Sequence, residues 1–98
     1  MEVSSGDMPY SDCCHYNNSF IRVFDQNTAN EEYVWHRDRA DRLVEVISGE
    51  GWMFQHDNNV PFEMQRGMTI NIEAYSYHRI LKGNTDLVLR ITEKVGET

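Results

Sequence analysis

No stretch of this chain holds a 3.6-residue apolar period through three helical turns; short apolar runs recur instead, each cut off by turn-forming residues. FIRVF (20–24) ends at DQNTAN, and EEYVWHRD (31–38) leads into RADR. LVEVI (43–47) stops at SGEG, WMFQH (52–56) at DNN, VPFEM (60–64) at QRG, and MTINI (68–72) at EAYS. YHRIL (77–81) runs into KGNT, and DLVLRI (86–91) closes the series. Runs of this length, rich in Val, Ile, Phe and Tyr, predict an all-β sandwich or barrel with little helix.

Alternation within the runs assigns faces. Val60, Phe62 and Met64 share one face, as do Met68, Ile70 and Ile72, with Thr69 and Asn71 opposite. LVEVI and DLVLRI are apolar on both faces apart from Glu45 and Arg90, which suits strands covered on two sides. Two packed antiparallel sheets, with a further apolar surface buried against a second copy of the chain, are expected. Pro61 lacks an amide hydrogen and belongs on an edge or at a strand start.

At 98 residues the chain is the size of one domain. Residues 1–18 are polar and read as an N-terminal arm that orders only by docking on the domain or on a partner, leaving 19–95 as the barrel. The net charge of −7 argues against nucleic acid as the main partner. Arg37, Arg39 and Arg42 still gather enough positive charge for a small anion. No apolar run approaches the length of a membrane-spanning helix, and no signal-peptide pattern opens the sequence. The cysteines, Cys13 and Cys14, are adjacent, a spacing poorly suited to a mutual disulfide, and are expected as reduced thiols in a cytoplasmic protein.

The chemistry-bearing residues lie in two stretches. His36 and Asp38, two apart on an extended segment, point to the same side with Cα atoms roughly 6–7 Å apart, close enough to converge on one ion. His78 follows Gly67 and a strand, and antiparallel pairing would bring it opposite them. Two imidazoles and a carboxylate make a facial triad that leaves coordination positions open. Arg42 continues the inward face and complicates this set: it can neutralise Asp38, clamp a substrate anion beside a metal, or fold outward onto Asp41 or Glu45. Gln55 and Tyr75 are polar pocket candidates. His56 reads as a solvated strand-end residue, and Trp35, Trp52, Phe54 and Tyr77 as core or pocket wall. Gly49-Glu50-Gly51 has no helix after it and is a turn, not a phosphate loop. Neither Ser nor Cys sits in a motif that would mark an activated nucleophile.

The spacing His36-x-Asp38-x3-Arg42-x6-Gly49, followed by Gly67-x5-Glu73-x-Tyr75-x2-His78, resembles the two motifs of the cupin superfamily, small jelly-roll β-barrels. Those motifs read G-x5-H-x-H-x3–4-E-x6-G and G-x5-P-x-G-x2-H-x3-N. The resemblance spans roughly residues 30 to 92. His36, Gly49, Gly67 and His78 match, while Asn30, Asp38, Arg42, Glu73, Tyr75 and Lys82 depart. It implies a single-domain jelly roll that often forms homodimers. It also implies a divalent transition metal (Fe, Mn, Ni or Zn) on His36, Asp38 and His78, with the family's glutamate ligand replaced by Arg42. Two functions of different kind stay open at this stage. One is a metal-dependent oxygenase or isomerase acting on a small polar or anionic molecule, with Arg42, Gln55 and Tyr75 holding it. The other is a metal-free small-molecule-binding or structural dimer in which Asp38 pairs with Arg42.

Overall fold

The computed structural model describes residues 10–25, 27, 35 and 37–94. Eight strands follow in order: β1 (Tyr10–Tyr16), β2 (Ser19–Phe24), β3 (Asp41–Ser48), β4 (Met53–His56), β5 (Phe62–Glu63), β6 (Thr69–Ile72), β7 (His78–Leu81) and β8 (Leu87–Lys94). They form a five-stranded sheet, ordered β1-β2-β8-β3-β6, and a three-stranded sheet, ordered β5-β4-β7. Every pairing is antiparallel. The fold is all-β, as the strand rhythm predicts, and the two antiparallel sheets form the jelly roll that the resemblance implies. Among the described residues no helix is long and apolar enough to cross a membrane.

The inner faces follow the alternation. Val44 and Val46 of β3, Ile70 and Ile72 of β6, and Leu87, Leu89 and Ile91 of β8 are buried in one core with Phe20, Phe24, Trp52, Phe54 and Met64. Burying side chains of this size stabilises by about 1.5–3 kcal/mol each. Trp52 is fully buried and its indole N–H donates to the Thr85 carbonyl at 2.6 Å, so its one polar atom is satisfied inside. Gly83 lies so close to Trp52 and the Glu50 carbonyl that a Cβ there would collide with both. Gly49 and Gly67, the two motif glycines, have φ of +140° and +87°, conformations that side chains resist.

Residues 10–16 of the polar arm dock on this chain's own sheet as an edge strand, one of the two dockings expected for the arm. Asn17 takes a left-handed φ of +56° and turns the chain in two residues. Arg22 then holds both Asp12 carboxylate oxygens, at 2.7 and 3.0 Å, tying β1 to β2. Val60 does not share the inner face with Met64: it is 79% exposed, because β5 starts only after Pro61 and lasts two residues. Cys13 and Cys14 sit with their sulfurs paired, Cα atoms 3.8 Å apart, where the β1 register slips and Cys14 takes a φ of +61°.

Candidate functional site

Asp38, Arg42, His78 and Glu93 come together at one end of the two sheets. The β6–β7 turn is fastened to the segment entering β3: Tyr75 N–H donates to the Asp38 carbonyl at 2.6 Å, and Ala74 N–H to Asp41 Oδ1 at 2.7 Å. That clasp places His78, first residue of β7, beside Asp38. His78 is only 3% exposed, and its Nε2 lies 3.3 Å from Asp38 Oδ2. Its Nδ1 is 3.1 Å from the Ser76 carbonyl, and its ring stacks on Phe54 at 5.6 Å between centroids. A carbonyl can only accept, so Nδ1 carries the hydrogen. Nε2 is thereby turned toward a carboxylate oxygen. Such an arrangement is stable with a proton on Nε2 or with a cation shared between the two atoms.

Arg42 is inward, in line with Val44 and Val46, but Asp38 is not its main partner. Glu93, its cross-strand neighbour on β8, accepts from Nε at 2.9 Å and Nη2 at 2.6 Å, both on Oε2. The remaining nitrogen, Nη1, approaches Asp38 Oδ2 at 3.5 Å. The outward alternative is overturned, because Asp41 caps Ala74 and Glu45 pairs with Arg90 at 3.1 Å. The guanidinium thus bridges two carboxylates. With His78 neutral, Asp38, Glu93 and Arg42 sum to one negative charge.

The other candidates fall elsewhere. His36 lies outside the described residues. Gln55 sits on the opposite face of β4 from Phe54, accepting from Arg79 Nε at 2.8 Å and donating to the Asn59 carbonyl at 2.8 Å. Tyr75 is a turn residue at φ +66° whose side chain points outward, the residue being 60% exposed; its contribution is through its backbone. Trp35 and Tyr77 are exposed, not core, each with a guanidinium over its ring, Arg79 at 4.7 Å and Arg37 at 5.3 Å. Two inward residues escaped the sequence reading. His56 is no solvated end: it faces His78 in register and packs on Phe54 at 4.8 Å. Glu93 continues the Leu87, Leu89, Ile91 alternation one step beyond the run DLVLRI. Both were visible in the two-residue period, since His56 follows Trp52 and Phe54.

A metal is implied by the family resemblance, and the residues can be tested for it. Two donors held by one ion at about 2.0–2.2 Å stand about 3 Å apart, and Asp38 Oδ2 and His78 Nε2 meet that spacing. His78 also has the second-nitrogen hydrogen bond to a carbonyl that metal-bound histidines show. Among the described residues no group of three or more His, Cys, Asp or Glu side chains could hold an ion. The described part of the site therefore supplies two donors, one short of a facial set of three.

No protein-family profile matches the sequence. No curated protein matches it either. Solved structures do. A putative mannose-6-phosphate isomerase from Ralstonia eutropha JMP134 matches with TM-score 0.69 and 18% identity, over 97% of this chain and 91% of that one. A cupin-2 domain protein from Shewanella frigidimarina NCIMB 400 matches at TM-score 0.61 and 15% identity, over 87% and 79% of the two chains. A structure from work on the DMSP lyases RdDddP and RnDddQII matches at TM-score 0.68 and 17% identity, over 80% of this chain, which spans only 38% of that one. At such identities the likeness speaks for the fold. Strand order, the motif glycines and these neighbours agree: this chain has the fold of the cupin superfamily.

Proposed function

We propose that the protein binds a divalent transition-metal ion through Asp38 and His78, with His36 as the third donor, and takes up a small polar or anionic molecule beside it. The observation that carries this is the 3.3 Å separation of Asp38 Oδ2 and His78 Nε2, with the histidine's other nitrogen committed to the Ser76 carbonyl. A divalent ion turns the local charge from −1 to +1, which favours an anionic ligand group at the remaining coordination positions. There the ion would act as a Lewis acid or activate dioxygen. An oxygenase or isomerase is the catalytic form of this reading. The chain's own part is to orient: Phe54 packs against one face of the His78 ring, and Glu93 anchors Arg42.

The 3.5 Å approach of Arg42 Nη1 to Asp38 supports a second reading, a metal-free binding module. Elemental analysis of untagged protein, beside His78→Ala and Asp38→Asn purified identically, separates the two. The first reading expects near-stoichiometric transition metal in the parent and its loss in both variants. Absence of metal after anaerobic loading with Fe(II) and Mn(II) would leave the module.

A homodimer belongs to the same proposal. Ile21, Val23, Leu43 and Val88 lie half-buried on the outer face of the five-stranded sheet, an apolar surface suited to a second copy.

A further inference from the structure

The β1–β2 pairing runs in step from Tyr10 opposite Phe24 to Cys13 opposite Ile21, and resumes at Tyr16 opposite Ser19. Cys14 and His15 therefore share one partner, Phe20, as in a β-bulge, and the His15 ring stacks on Phe20 at 5.1 Å between centroids. A bulge whose first residue is left-handed normally carries glycine there, because a Cβ resists that backbone. Here the residue is Cys14, at φ +61°. Its sulfur is paired with that of Cys13, and both cysteines are exposed on the edge strand, open to a reagent from solvent. The sulfur link holds a backbone that glycine would adopt unaided.

The bulge supports the tip of the β1–β2 hairpin. At that tip the Asn18 carbonyl accepts from Glu93 N–H at 2.9 Å, and the Ser19 and Thr92 hydroxyls hydrogen-bond at 2.8 Å. The tip is thus fastened to the end of β8, where the Glu93 carboxylate holds Arg42.

We propose that Cys13–Cys14 is a reversible thiol–disulfide exchange site for a small dithiol reductant, and that its disulfide form braces the hairpin tip against β8. A thiolate of the reductant attacks one of the two sulfurs and forms a mixed disulfide. Its second thiol then closes the reductant's own disulfide and releases both cysteines as thiols. One S–S bond breaks and one forms, while two electrons and two protons pass from reductant to protein. Cys14, untied, returns to negative φ, the bulge shifts, and the hydrogen bonds at the tip open more often. Neither cysteine is among the metal donors proposed above, so this inference stands or falls independently of that proposal.

The test compares the parent in excess dithiothreitol with the parent in excess oxidised glutathione. Iodoacetamide labelling of the unfolded protein, read by mass spectrometry, is expected to find no free thiol in the oxidised form and both thiols in the reduced form. Re-oxidation should remove both again at the mass of a single chain. Amide hydrogen exchange by NMR is expected to be at least about tenfold faster at Glu93 in the reduced form, with the core amide of Leu89 unchanged. Cys13→Ser with Cys14→Gly should exchange at Glu93 as slowly as the oxidised parent under both conditions. Cys13→Ser with Cys14→Ser should exchange as fast as the reduced parent. Glutathione adducts or links between chains in place of the internal disulfide would overturn the exchange site. Equal Glu93 exchange in the two forms of the parent, or a glycine variant as fast as the serine variant, would overturn the brace. The comparison within the parent needs no substitution, and decides even if a variant does not fold.

Discussion

Among the described residues the Asp38 side chain meets a guanidinium and an imidazole, and substitutions around it should separate their effects. In the metal-free protein, Arg42→Ala leaves Asp38 and Glu93 facing the same half-buried space without the cation between them. Hydrogen bonds to charged groups are worth about 1.5–3 kcal/mol, and the partial exposure of Glu93 lowers that. Urea denaturation of stripped Arg42→Ala is therefore expected to show a loss of about 1–2 kcal/mol. Adding Zn(II) should recover part of it, since an ion bound only by the native state stabilises that state. A loss that metal does not reduce would mean the ion is not near these carboxylates. Phe54 offers a second check at this scale. It is buried against His78, so Phe54→Ala should cost about 3–5 kcal/mol and loosen the imidazole together with the core. A change below 1 kcal/mol in the same denaturation would contradict the packing.

At the scale of elements, the corner between β4 and the β7–β8 turn is the tightest point. Gly83→Ala puts a methyl group against Trp52 and the Glu50 carbonyl, and should cost about 2 kcal/mol or more in thermal or urea unfolding, with Lys82→Ala nearby as a mild control. Equal stability of the two would show that the corner relaxes freely. The strands themselves were largely legible, because a two-residue apolar period in LVEVI, MTINI and DLVLRI can satisfy only one face against the core. What failed were the ends of runs. Cutting DLVLRI at Ile91 hid Glu93, and treating the DNN turn as solvent hid His56, although both continue the inward set. Tyr75 went astray for a different reason: a left-handed turn residue projects by its backbone geometry and not by strand parity. Arg42 could be read as inward from its own strand. Its partner could not, since pairing residues 51 apart requires the β3–β8 register.

On the whole molecule, the cupin fold brings the beginning of β3, the end of β8 and the start of β7 to one end, so the site draws on both sheets. The outer face of the larger sheet is a separate property. Val23 and Val88 stand opposite each other there, beside the exposed Arg90–Glu45 pair. Light scattering should report a dimer for the parent and a monomer for Val88→Glu, whose charge would be buried by a second copy. A parent already monomeric at tens of micromolar would remove the dimer from the account. Metal binding should survive Val88→Glu, because Val88 lies on the face away from Asp38 and His78.

The central claim is that a transition metal is bound between Asp38 and His78. Anomalous diffraction from crystals of Zn(II)-loaded protein, recorded on both sides of the zinc edge, tests it most directly. The account predicts a single strong peak within bonding distance of Asp38 Oδ2 and His78 Nε2, with the Glu93 carboxylate still on Arg42. A map without a peak there, or with the Arg42 guanidinium closed on Asp38 in its place, would contradict it.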